Sequence, residues 1–350
     1  MKKILFFVLG LLLISPAALN AQGCMEASSD EGVNVVGYVQ PQWTYDEANG
    51  KYENSFYFNR ARIGVTGNIP YDFSYYVMAE LSPTKNGPYL LDAFLTWKRL
   101  APYVNITVGQ FKNPFGLELS TPCQSLHTID RSEVVNELAS PFRDLGLMIW
   151  GGTDLGLSET EVLKWKLSLT NGTGMNNMDN NRFKDITTRV IVSPFDFVDI
   201  GGSFKYGKVL KQSQGSKDTK LIRYGADISI KKYNFLVQAE FIGGTDDGFE
   251  LSGGGCGEDP SIAPFDGKTK KNGFFVMALY ETPWNLQPVV KYGSYDPNTD
   301  VDSNMKNTYT FGLNYFFNDW TRLQVNYVVN DDASINLPND LFMVQMQVKF

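Results

Sequence analysis

Apolar and polar residues alternate in short runs along most of this chain, and one stretch breaks the rhythm. Leu163-Lys-Trp-Lys-Leu-Ser-Leu-Thr170 shows the pattern plainly, with every second residue apolar. A period of two belongs to a β-strand whose two faces meet different surroundings. Sixteen such runs are predicted as strands: 33–45, 56–69, 73–81, 90–99, 103–112, 144–151, 162–170, 186–192, 197–206, 221–231, 234–242, 274–280, 286–295, 308–317, 320–329 and 341–350. Between the fifth and sixth the alternation stops. Residues 113–142 show neither a strand period nor a long helical repeat, yet they hold Phe115, Leu117, Leu119, Leu126, Ile129, Val134, Val135, Leu138 and Phe142. A connection this long and this apolar is functional rather than disordered, because it carries a surface to pack.

The connections alternate as well. Those near residues 70, 101, 195, 232, 283 and 318 are short turns, while 46–54, 82–89, 113–142, 171–183, 207–219, 243–272, 296–306 and 330–339 are longer and polar or Gly-rich. Residues 152–161 fit the short set least well. Short turns on one side and long loops on the other mark an outer-membrane barrel. The expected fold is therefore all-β, a transmembrane antiparallel β-barrel of sixteen strands, with the third outer loop, 113–142, folded into the lumen as a constriction.

Alternation also assigns faces. Ala61, Ile63 and Val65 facing lipid put Arg60 and Arg62 in the lumen. Leu163, Trp165, Leu167 and Leu169 do the same for Lys164 and Lys166, and the neighbouring strands turn Arg189, Lys205, Arg223 and Arg322 inward. A Lys or Arg facing lipid at mid-depth would cost ~2–4 kcal/mol, which fixes the choice. Acidic residues on the inner face are fewer: Glu80, Asp92, Asp144, Asp199, Asp227 and Glu240. Others, such as Asp246, Asp247, Asp296 and Asp331, fall in predicted loops. The wall interior thus reads basic, although the formal charge of the chain is −7.

Lys2 and Lys3, the apolar run 4–14 and the small residues 17–21 form a secretory signal peptide over 1–21, leaving 22–350 as the barrel. Cys24 after Ala21-Gln-Gly is a weak lipidation alternative. No apolar run reaches the ~18 residues of a spanning helix. Aromatics make up 14% of the chain, which suits a membrane wall of strands. The acidic balance excludes nucleic acid as a partner. Cys24, Cys123 and Cys256 allow one disulfide in three pairings, and Cys123 and Cys256 both fall in outer loops. No Cys/His cluster points to a metal, acidic loops such as 296–302 read as solvated surface, and no cofactor is implied. His127 stands without a GxSxG motif, so no hydrolytic set is expected and the chain reads as no enzyme.

Three local motifs carry a family likeness: Phe58-Asn-Arg-Ala-Arg-Ile-Gly-Val-Thr-Gly67, Val108-Gly-Gln-Phe-Lys-Asn-Pro-Phe-Gly-Leu-Glu118, and Ile129-Asp-Arg-Ser-Glu133 with Arg143-Asp-Leu-Gly-Leu147. The chain resembles the phosphate-selective porin O and P family of Gram-negative outer membranes. The resemblance implies a homotrimeric barrel in the bacterial outer membrane, among its lipid and lipopolysaccharide, taking up inorganic phosphate or other small anions. Its arginine positions match Arg60, Arg62, Arg131 and Arg143. The mixed signs of Asp130, Glu133, Glu137 and Asp144 leave an alternative open, a general or sugar-passing diffusion porin with little ion selectivity. The expected anion-binding set is Arg60, Arg62, Arg131, Arg143, Lys164, Lys166, Arg189, Lys205, Arg223 and Arg322. These would pass anions by weak contacts in a water-filled pore.

Overall fold

The computed structural model describes residues 32–47, 53–70, 72–155, 161–209, 219–253, 261–333 and 339–350. The expected leader over 1–21, Cys24 and Cys256 lie outside them. The strands in order are β1 Asn34–Asp46, β2 Glu53–Ile69, β3 Phe73–Glu80, β4 Tyr89–Leu100, β5 Val104–Lys112, β6 Arg143–Thr153, β7 Leu163–Thr170 and β8 Asp185–Phe195, followed by β9 Val198–Gly207, β10 Lys220–Lys232, β11 Phe235–Ser252, β12 Ser261–Tyr280, β13 Leu286–Asp296, β14 Lys306–Phe316, β15 Thr321–Asp332 and β16 Leu341–Lys349. Each pairs antiparallel with its neighbours, and β1 pairs with β16 to close the barrel. Gly37 and Phe350 exchange two backbone hydrogen bonds of 2.9 Å at that seam. A closed ring leaves no strand edge unpaired, as a wall in hydrocarbon requires.

The two faces separate as the pattern demands. On β2, Ile63 is 43% exposed between buried Arg62 and buried Gly64. On β8, β9 and β10, exposed Val190, Phe204 and Tyr224 alternate with buried Arg189, Lys205 and Arg223. The outer face is therefore apolar and the inner face polar, the reverse of a water-soluble sheet.

The short connections after β2, β4, β8, β10, β12 and β14 fall at one end, as do the end of β6 and the start of β7. One expected loop is corrected. Of 243–272, the parts 243–252 and 261–272 are strand, extending β11 and β12 far beyond the predicted ends. The Gly-rich, acidic composition hid this. Pairing continues through Asp247↔Lys268, shifts register before Phe249, and resumes at Phe249↔Pro264. Phe249 and Leu251 then pack with Leu221.

The 113–142 segment contains two short helices, α1 Leu117–Ser120 and α2 Glu133–Leu138. Its apolar residues do not face solvent. Phe115, Leu119, Leu126, Val134 and Leu138 form one cluster with Ile242, Phe275 and Leu279, side chains of β11 and β12 that alternate with the exposed outer set.

Candidate functional site: a clamped segment among charged side chains

The segment is tied to the wall at several points around the ring. At its start, Gly116 adopts φ 67°, ψ 170°, a conformation essentially confined to glycine. That bend aims two backbone N–H groups, of Leu117 (3.1 Å) and Glu118 (2.9 Å), at the buried Glu240 carboxylate. The Gly116 N–H donates to Ser203 Oγ at 3.0 Å. Glu118 in turn accepts from Lys291 Nζ at 2.5 Å and from the Ser132 N–H at 2.7 Å.

The middle of the segment rests on side-chain amides of the last strands. Gln347 donates to the Gln124 carbonyl, Gln324 to those of Leu126 and His127, and Asn314 to that of His127. The Ile129 N–H donates to Asn326 Oδ1 at 2.7 Å. These amides also bond one another, as in Gln324 to Asn314 and Gln345 to Gln324, so the row is a connected network. A backbone that lies away from both helix and sheet needs such partners wherever water is excluded. His127 lies beside Gln287 Oε1 at 3.4 Å, and burial lowers its pKa below the usual 6.5.

The expected cations divide into two groups. Five are held in ion pairs. Arg62 meets Glu80 at 2.7 Å, Arg143 meets Asp92 at 2.8 Å, Arg189 meets Asp227 at 2.6 Å, Lys205 meets Asp185 at 3.5 Å, and Arg223 meets Asp246 at 2.6 Å. The Arg223–Asp246 contact is a charge pair rather than an aligned hydrogen bond. Asp246 was expected in a solvated loop. It lies instead buried in β11, where Lys271 also reaches it at 3.3 Å. Lys164 is an outlier of another kind, exposed near the short-turn end, 4.0 Å from Glu161.

Arg60, Arg322 and Lys166 form no ion pair among the described residues, although the Asp130 and Glu80 charges act on Arg60. Arg60 donates to Gln40 Oε1 at 2.9 Å, and its Nε is buried without a partner. Arg322 donates to the Leu126 carbonyl and to Gln347, and its Nε is likewise unpartnered. Gln347 accepts from Arg322 and lies against Gln40, so the two guanidiniums are joined through a pair of amides. Arg131, in the segment itself, donates to the carbonyls of Glu118 and Thr121. Burial, with the nearby Arg60 charge adding to it, pushes Arg131 down to about 9, still protonated at neutral pH. Lys166 pairs in register with Arg189 across β7 and β8, on the side away from these. The set of ten is therefore scattered. Arg60, Arg62, Arg131, Arg143 and Arg322 surround the segment's first half, Arg189 reaches its start through Ser203, and Lys205 and Arg223 donate to carbonyls of its second half.

Sequence reasoning missed Lys112. Lys112, at the end of β5, donates to the Thr121 carbonyl at 3.2 Å. Its place in the Val108–Glu118 motif was the available signal. Cys123 is disulfide-bonded, and its partner lies outside the described residues, as does the proposed Cys123–Cys256 pairing. Among the described residues, no three His, Cys, Asp or Glu side chains converge as metal ligands.

The sequence matches the family model for phosphate-selective porin O and P over residues 35–245. Among curated proteins, none matches. Solved structures with a similar fold include an anion-selective porin from Comamonas acidovorans, at 11% identity and TM-score 0.68, covering 92% of this chain and 100% of that one. The trimer form of OmpT from Vibrio cholerae aligns at 10% identity and TM-score 0.64, with 92% and 100% covered. OmpF of Salmonella typhi, in complex with daunomycin, aligns at 15% identity and TM-score 0.63, with 91% and 97% covered. At these identities the likeness is one of fold.

Proposed function

The chain belongs to the phosphate-selective porin O and P family and is a porin of the bacterial outer membrane, and from that premise we propose that it passes small anions by diffusion, inorganic phosphate among them. In this reading residues 113–142 cross the lumen and narrow it. The carrying observation is Arg60 with Arg322: two buried guanidiniums whose Nε groups have no partner among the described residues, joined through Gln40 and Gln347 and in no ion pair there. Like charges held together in a low-dielectric wall raise the local anion concentration. A guanidinium also offers a planar fork that suits phosphate oxygens. Arg131 and Lys112 extend the same field from the segment's side.

A second reading has its own support. Arg62, Arg143, Arg189, Lys205 and Arg223 each face a carboxylate, so most of the inner charge is compensated. A porin with such an interior would discriminate weakly among ions and pass neutral solutes, sugars included. The test is the current through purified protein in a planar bilayer with a KCl gradient, before and after phosphate is added. Anion preference with phosphate block supports the first reading, and a potential near zero without block supports the second. The proposed assembly is a homotrimer among lipopolysaccharide, which native mass spectrometry of the detergent-extracted protein reads directly.

A further inference from the structure

The inner face of β3–β6 carries an aromatic patch beside polar residues such as Thr96 and Thr107. Tyr76 and Phe94 are paired across β3 and β4, with ring centroids 5.4 Å apart and planes 24° from parallel. Phe111 and Met148 continue this surface on β5 and β6. Lipid-facing positions are available on the same strands, filled by Val77, Leu95 and Val108. Aromatic side chains turned the other way, toward water, gain nothing from the bilayer. Tyr76, Phe94 and Met148 are only half-buried, so the surface is open to whatever occupies the space before it.

That space is a cavity of about 290 Å³. Its other wall carries basic side chains, two of them already paired with carboxylates. Arg62, Lys112 and Arg143 line it, against Asp92 as the one lining carboxylate, with Glu80 behind Arg62. Arg62 Nη2 and Arg143 Nη1 have no hydrogen-bond partner, and the Lys112 ammonium meets a carbonyl rather than a carboxylate. An inorganic anion can use only this second wall, and it would give up water against the rings without replacement. A flat organic anion uses both walls, its ring against Tyr76 and Phe94 and its carboxylate toward the cations.

We propose that this cavity is a subsite for a small aromatic carboxylate, a benzoate-like monoanion. The proposal rests on the reading of the pore as an anion path. The experiment compares benzoate with acetate as inhibitors of chloride current through the purified full chain in planar bilayers. Benzoate is expected to act at a concentration about tenfold lower than acetate, the gain of one good aromatic contact. In Phe94→Leu, and separately in Tyr76→Leu, that ratio falls toward one, and because it is read within one conducting protein it does not depend on yield. Lys112→Gln weakens both ions together. An anion-selective channel on which benzoate and acetate act equally overturns the subsite and leaves the anion path standing. A channel with no anion preference, inhibited by neither ion, overturns both.

Discussion

Arg143 grips Asp92 through two nearly parallel hydrogen bonds, Nε to Oδ1 at 2.8 Å and Nη2 to Oδ2 at 3.1 Å. The two residues sit on β6 and β4, with β5 between them, so the fork spans a whole strand just where the 113–142 segment returns to the wall. Both are buried. Removing one partner leaves the other charge uncompensated, at about 3–5 kcal/mol. Asp92→Asn is therefore expected to lower the temperature at which the folded barrel loses its mobility shift on unheated gels. Arg143→Gln combined with Asp92→Asn should recover much of that loss, since no bare charge remains.

Gly116 is the hinge of the segment's start. A Cβ there would lie 2.0 Å from Glu240 Oε1, and the backbone conformation excludes side chains in any case. Gly116→Ala is expected to weaken docking by about 1–3 kcal/mol, the usual strain of such a conformation. The readout is single-channel noise. A looser segment gives flickering between conductance levels, while a trace as quiet as the parent's would mean that Glu240 does not hold this end.

The amide row makes a parallel prediction at the other end. Gln324 donates to the carbonyls of Leu126 and His127 and to Asn314, and accepts from Gln345. Gln324→Leu strips Asn314 Oδ1 and Gln345 Nε2 of a partner, at roughly 1–3 kcal/mol, while the Leu126 and His127 carbonyls keep Arg322 and Asn314. Protease cleavage within 113–142, followed on intact protein, should become faster. Gln238→Leu serves as the control, since the Gln238 amide bonds Ser229 and, among the described residues, no backbone group of the segment.

His127 gives the pH dependence its sign. Burial lowers its pKa below 6.5, so the undocked or unfolded chain takes up a proton more readily than the folded one. Docking is at full strength above pH 6.5, weakens as pH falls through the interval down to the lowered value, and levels off below it. Flicker should therefore increase between pH 7.5 and 5, and His127→Gln should flatten that rise.

These residues also show how far sequence alone reaches. The sixteen strands were legible because lipid and water impose opposite demands on alternate residues, and Ile63 beside Arg62 obeys that rule without help from the rest of the chain. The extension of β11 and β12 was not legible, because Gly243, Gly244 and Asp246 carry no alternation and are held by backbone pairing and by Arg223. Which arginines are neutralised was hidden for a related reason. Arg189 and Asp227 are 38 positions apart and meet only once the register of three strands is set. Arg60 and Arg322 lie on β2 and β15, near opposite ends of the sequence, and come close only through closure of the ring.

The central claim is that Arg60 and Arg322 give the pore its preference for anions. The direct measurement is the reversal potential under a KCl gradient for the parent chain and for the Arg60→Gln/Arg322→Gln variant. The account predicts an anion-selective potential in the parent that moves toward zero in the variant, with the open channel retained. An identical potential in the two proteins would contradict it, and would move the search for the filter to the segment's own Arg131 and to Lys112.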